Sequence, residues 1–183
     1  MTDLFTVMEL PRAAWLDAEV LQERFHRLSA VRHPDAPGGS GAAFALLNEA
    51  WQTLREPVSR LRHFLLLTDP ESLAAHHQTP AELGDMFMDI AAATHSGTQL
   101  ASAREKAASP LARALLEPQR LALLGKVKAI EARLRPAIEE AHATIRADDE
   151  LAATLHRLTF LSHWLRQIEE LLLALGVQPA HRD

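Results

Sequence analysis

The sequence predicts an all-α protein, and three observations carry that reading. Tyrosine is absent, β-branched residues are sparse, and Ala, Leu, Glu and Arg, all helix-favouring, dominate the chain. Apolar residues recur at helical spacing over long stretches. Segment boundaries carry capping residues followed by proline, whose fixed φ suits the first helical position and whose missing N–H would be unpaired there anyway. At 183 residues, 48% of them hydrophobic, the chain can form one domain or two small ones with a real core.

Periodicity places a short helix at residues 3–10 and helices near 17–31, 41–55 and 57–67. Leu21, Phe25 and Leu28 line one face of the second helix. Phe44, Leu47, Trp51 and Leu54 line the third, at the i, i+3, i+7, i+10 spacing of a buried stripe. Joined by the Gly-rich loop Ala36-Pro37-Gly38-Gly39-Ser40, these two form an antiparallel hairpin. A break at Glu56-Pro57 starts the fourth helix, and a linker follows near Asp69-Pro70. Thr79-Pro80-Ala81-Glu82 is a capping box with proline at the first helical position. It opens a second group of helices near 80–95, 98–107, 110–146 (interrupted at Pro118 and Pro136) and 149–175. Asp148 suits the cap of the last helix and Gly176 its left-handed C-terminal position.

Leu151, Leu158, Leu165 and Leu172, with the companion series Leu161, Ile168 and Leu175, form a heptad seam in that last helix. Val127, Ile130, Leu134, Ile138, Ala141 and Ile145 repeat comparably in the helix before it, so the two pack antiparallel. The expected division is 1–70, a linker at 71–79, a helical bundle at 80–176 and a disordered tail at 177–183.

No apolar run approaches the length needed to span a bilayer, and Met1-Thr2-Asp3-Leu4 lacks the basic-then-apolar pattern of a secretory signal. The absence of cysteine excludes disulfides, thiolate metal sites and cysteine nucleophiles, and it fits a reducing cytoplasm. A net charge of −5 argues against broad electrostatic binding to nucleic acid. The ten histidines include no i, i+4 chelating pair, and His76-His77 are neighbours whose side chains diverge, so no metal site is expected. A phosphate loop ending in Lys-Ser/Thr and a Gly-x-Ser-x-Gly elbow are both missing, so nothing points to an enzyme.

His33-Pro34-Asp35 stands where the second helix ends and the loop begins. Proline fixes its own φ and disfavours helix for the residue before it, which holds His33 and Asp35 in a defined geometry. Asp35 can accept paired hydrogen bonds from an arginine, and His33 offers one donor and one acceptor. An ordinary helix-stop turn would use Pro and Asp too. In the last helix Phe160 falls off the heptad seam with Trp164 and Leu171 on its side, so they either pack on a third helix or form a binding patch. Near 80–95, Leu83, Phe87 and Ile90 make the inward stripe, whereas Met88 points away among Asp85 and Asp89.

Two helices joined by a loop that begins with His33-Pro34-Asp35 resemble a J-domain, the module that turns on the ATPase of DnaK-type chaperones. Asn48-Glu49-Ala50-Trp51-Gln52-Thr53-Leu54-Arg55-Glu56-Pro57, followed by Arg60-Leu61-Arg62-His63-Phe64-Leu65-Leu66, resembles the third J-domain helix and its continuation in HscB. That family is the J-type co-chaperone of bacterial iron–sulfur cluster assembly. Asp3-Leu4-Phe5-Thr6-Val7 resembles its first helix and Leu158-Thr159-Phe160-Leu161 its last. The resemblance spans nearly the whole chain and is weak between about 95 and 125.

The resemblance implies an N-terminal J-domain packed at an angle against a C-terminal three-helix bundle. His33, Pro34 and Asp35 would stimulate ATP hydrolysis by a DnaK/HscA-type chaperone, while the bundle delivers an IscU-type scaffold protein. It implies no cluster, nucleotide, metal or other cofactor bound by the chain itself. Arg24, Arg27 and Arg32 correspond to a basic face that meets an acidic surface on the ATPase and steers more than it binds. Asp17, Glu19 and Glu23 offset this face, and Ala36 stands where the family usually carries lysine. The family's scaffold-binding patch implicates Phe160 and Met88, and also Leu83 and Phe87, for which core packing is an equal alternative. The other function open to such a chain is a J-like module without chaperone coupling, whose bundle serves homo-oligomerisation or holds an unrelated client.

Overall fold

Side-chain caps set the first helix boundaries. Asp3 accepts hydrogen bonds from the N–H groups of Phe5 and Thr6 and opens α1, Leu4–Val7. Asp17 does the same for Glu19 and Val20 at the start of α2, Ala18–Arg32. The Ser40 hydroxyl accepts from Ala43 N–H and opens α3, Gly41–Arg55. Prolines start α4, Pro57–Thr68, and α5, Pro70–Ala75; the latter is a short helix lying where the sequence reads as linker. Then come α6, Gly84–Lys106, the short α7, Pro110–Ala114, and the long pair α8, Glu117–Ala147, and α9, Leu151–Ala174.

The structure, a computed structural model, describes residues 2–75, 83–147 and 150–177, and its only regular elements there are helices. The capping box at Thr79-Pro80, the pair His76-His77, the cap expected at Asp148 and the tail beyond Val177 lie outside the described residues. Among the described residues no helix is long and apolar enough to cross a membrane. The chain forms two compact units, Met1–His77 with His142–His156, and Gln78–Ala141 with Arg157–Asp183. The end of α8 and the start of α9 thus belong to the first unit. Within it, the Arg146 guanidinium lies 4.7 Å from the centre of the Trp15 ring.

In the first unit Leu21 and Leu28 of α2 meet Leu47, Ala50 and Leu54 of α3, and α1 adds Leu4 and Phe5 to the same core. Phe25 and Trp51, expected in the buried stripes, are half-buried instead. Their rings stack on each other at 4.7 Å at the edge of the core, and the Arg55 guanidinium lies 6.0 Å from the centre of the Trp51 ring. Buried Arg60 of α4 donates from Nε to the Ala14 carbonyl at 3.0 Å and from Nη1 to the Leu54 carbonyl at 2.8 Å. It thereby satisfies an end carbonyl of α3 and pins the segment between α1 and α2.

The second unit is a three-helix bundle. Ile90, Ala93 and Leu100 of α6, Leu123, Val127, Ile130 and Leu134 of α8, and Leu161, Trp164, Leu165, Ile168 and Leu172 of α9 share one core. Two details correct the sequence reading. Helix α6 runs unbroken through Ser96-Gly97, where Gly97 is buried against α9 and a Cβ on it would have to push aside a terminal methyl of Leu171. Helix α8 continues through Pro136, which forgoes the hydrogen bond to the Ala132 carbonyl and crowds that carbonyl with its ring. Residues 95–125 therefore lengthen the bundle, with α7 as the connection. At the far end of α9, Gly176 adopts φ +83 and completes a Schellman closure: its N–H bonds to the Leu173 carbonyl and the Val177 N–H to that of Leu172.

Buried His63 of α4 accepts the Leu4 N–H at Nε2 (3.1 Å) and stacks on Phe5, so it holds α1 against the first core. Burial pushes its pKa below the ordinary imidazole value, against a weaker upward pull from Asp3 and Glu49. The unfolded chain therefore takes up this proton at a higher pH than the folded one. The stability that neutral His63 contributes is complete above the ordinary pKa of about 6.5 and is lost as pH falls toward the lowered folded value. In urea unfolding between about pH 8 and pH 5, His63 should add up to about 1.4 kcal/mol per pH unit to the slope across that window. His63→Gln, which keeps an acceptor but does not titrate, should remove that part of the slope; identical slopes would disprove the assignment.

Candidate functional site

The turn after α2 is built from backbone hydrogen bonds. His33 caps the helix with its N–H on the Ser29 carbonyl (3.0 Å), at φ −57 and ψ 140, the extended conformation that Pro34 imposes on the residue before it. Its own carbonyl accepts the Ala36 N–H at 2.9 Å, and the Ala36 carbonyl accepts the Gly39 N–H at 2.9 Å. Gly38 turns the chain at φ +81, and Gly39 comes back so close to His33 that any Cβ would overlap the His33 carbonyl oxygen.

On this frame His33, Pro34 and Asp35 all face solvent, and the Asp35 side chain is 90% exposed. The His33 ring rests edge-on against Phe44 with centroids 5.0 Å apart, and its Nδ1 accepts the Asp35 N–H at 3.3 Å. A neutral imidazole that accepts at Nδ1 carries its proton on Nε2, so the corner offers an N–H donor beside a carboxylate acceptor.

Arg24, Arg27 and Arg32 do lie together on α2, but not unpaired. Glu9 reaches all three, with oxygen-to-nitrogen distances of 3.5, 2.7 and 3.5 Å, and Arg32 also donates to the Val7 carbonyl at 2.9 Å. Glu9, outside the helix, thus adds to the negative charge that Asp17, Glu19 and Glu23 bring to this face. Glu9 adopts φ +54 at the end of α1, with its N–H on the Thr6 carbonyl and the Leu10 N–H on that of Phe5. This is again the Schellman closure, with glutamate in the left-handed position that glycine normally takes. Only the stop signal of Pro11 beyond the short helix hinted at that position.

A second surface belongs to the bundle unit. Met88 is 66% and Phe87 50% exposed, and Phe160 is half-buried. Phe87 and Phe160 both lean on buried Trp164, with centroids at 6.2 and 5.9 Å. Leu83, named with them as a scaffold contact, is only 3% exposed and lies in the bundle core, where no partner reaches it. The inward row of α6 runs through Met86, Ile90, Ala93, Gly97 and Leu100, so Phe87 flanks the seam instead of filling it. Trp164 and Leu171 pack on the third helix, leaving Phe160 at the border of core and surface. Among the described residues no cluster of His, Asp and Glu is placed to hold a metal ion.

These features define an all-α chain with a His-Pro-Asp corner on a helical hairpin and a separate three-helix bundle. The same fold occurs in the chaperone HscB from Vibrio cholerae, which is 18% identical, with a TM-score of 0.50 over 92% of this chain and 96% of that one. Human co-chaperone protein HscB aligns at 19% identity and a TM-score of 0.47, over 93% of this chain and 82% of its own. No family model matches the chain.

Gly39→Ala should cost about 1–3 kcal/mol as the loop moves off the His33 carbonyl. The amide resonances of His33 and Asp35 should shift while the helical circular dichroism is kept; unchanged resonances would show that the close approach does not set the corner.

Proposed function

We propose that the protein is a J-domain co-chaperone that stimulates the ATPase of a DnaK/HscA-type chaperone and delivers an IscU-type scaffold for iron–sulfur cluster assembly in the cytoplasm. Residues 1–70 act as the J-domain and 80–176 as the scaffold-holding bundle. The observation that carries the reading is the solvent-facing corner, in which a proline-braced turn presents His33 and Asp35 beside an arginine row. Asp35 and the His33 N–H suit an arginine-bearing, polar surface on the ATPase. Binding there activates only if it favours the hydrolytic state of the partner over the resting one, so the corner acts as an allosteric ligand. The chain itself contributes no catalytic group and no cofactor.

Met88, Phe87 and Phe160 supply the apolar contact for the scaffold. Large apolar side chains exposed close together favour a partner that buries them. The reading without chaperone coupling draws on the pairing of all three arginines with Glu9, and the same assay decides it.

Wild-type protein should raise the steady-state ATPase rate of an HscA-type chaperone, and His33→Gln should abolish that rise with helicity unchanged. Equal stimulation by the variant rejects the mechanism, and none by the wild type favours the uncoupled module. In a pulldown with an IscU-type scaffold, Met88→Ala should weaken binding by about 1–2 kcal/mol, the cost of truncating an interface anchor.

A further inference from the structure

We propose that Glu9 is a built-in competitor for the acidic surface that the α2 arginines would meet, and so sets how tightly that partner binds. The inference deepens the co-chaperone reading and rests on it for the nature of the partner. One carboxylate engages Arg24, Arg27 and Arg32 together, and Arg32 directly precedes the His33-Pro34-Asp35 corner. Competition therefore takes place at the edge of the surface that the partner must read.

The backbone supplies the second observation. Position 9 lies at φ +54 inside a closure made by the Glu9 and Leu10 N–H groups on the carbonyls of Thr6 and Phe5. Glycine satisfies that geometry without penalty, whereas a side chain there is held against its own preference. Nothing in the turn requires a carboxylate; only the arginines use it. An outlier of this kind points to a role outside the local fold.

The chemistry of the exchange follows. An incoming acidic surface must replace Glu9 on the guanidinium groups, trading one carboxylate for another, so each short-range contact gains little. Asp17, Glu19 and Glu23 on the same helix already offset the three arginines at longer range, so the short-range exchange at the guanidinium groups decides the affinity. Engagement should then be weak and salt-dependent. Glu9→Gln removes the competing charge and keeps side-chain size and backbone strain. Glu9→Gly removes the charge and suits the left-handed backbone.

The test is a titration of the full chain with a decaglutamate peptide at low salt, read on the arginine Nε–Hε resonances. Both Glu9→Gln and Glu9→Gly should bind the peptide about three- to tenfold more tightly than wild type, the scale of a few exposed ion pairs. Adding Arg27→Ala to Glu9→Gln should cancel most of that gain. Equal or weaker binding by both Glu9 variants overturns the proposal. With an HscA-type chaperone, the concentration of Glu9→Gln giving half-maximal stimulation should fall by a similar factor. If wild type stimulates and this concentration does not fall, the competitor role is wrong. If wild type fails to stimulate while the peptide result holds, the chaperone reading fails and the competitor stands.

Discussion

The presentation of His33 and Asp35 depends on the close approach of the Gly39 backbone to the His33 carbonyl. That contact closes the loop between α2 and α3 tightly enough for Ser40 to cap α3 at once. The helix axes are in turn held by Leu21 and Leu28 against Leu47, Ala50 and Leu54. A loop with more slack would leave the tripeptide in many conformations, and the entropy of ordering it would be charged against every binding event. Pro34 and Gly39 act as a pair: the first fixes where the chain leaves the helix, the second how closely it returns.

The first core is completed by α1, which is too short to be stable as an isolated helix. Phe5 inserts among the α3 leucines, and His63 accepts a backbone N–H that would otherwise end buried and unpaired. Because α1 is anchored, its final turn has a fixed place, and Glu9 stands within reach of the α2 arginines. Core packing and surface charge are thus coupled through one short helix. In the bundle the analogous coupling runs through Trp164, whose buried ring supports both Phe87 and Phe160 at the surface.

Much of this architecture was legible in the sequence because its determinants are local. Apolar periodicity marked α1 to α3, and the Glu56-Pro57 break marked α4. The repeat of Val127, Ile130 and Leu134 against Leu158, Leu161, Leu165, Ile168 and Leu172 foretold a seam that is buried. Gly176 has the left-handed conformation its position predicted. What escaped depends on contacts between segments. Gly97 reads as a breaker by propensity, yet it lies inside α6 in close contact with Leu171 from another helix. Phe87 fits an inward row by spacing, but the row through Met86 fills the bundle and displaces it outward. The pairing of Glu9 with arginines 15, 18 and 23 positions along the chain has no periodic signature at all.

The left-handed backbone at Glu9 has an evolutionary consequence. Glycine codons lie a single nucleotide from glutamate codons, and glycine is the residue that this conformation prefers. The surface charge of the hairpin can therefore be reset in one mutational step, without rebuilding any packed contact. Such a step would remove one carboxylate from the arginine row and relieve the backbone at once, so charge and local conformation pull in opposite directions at this one position.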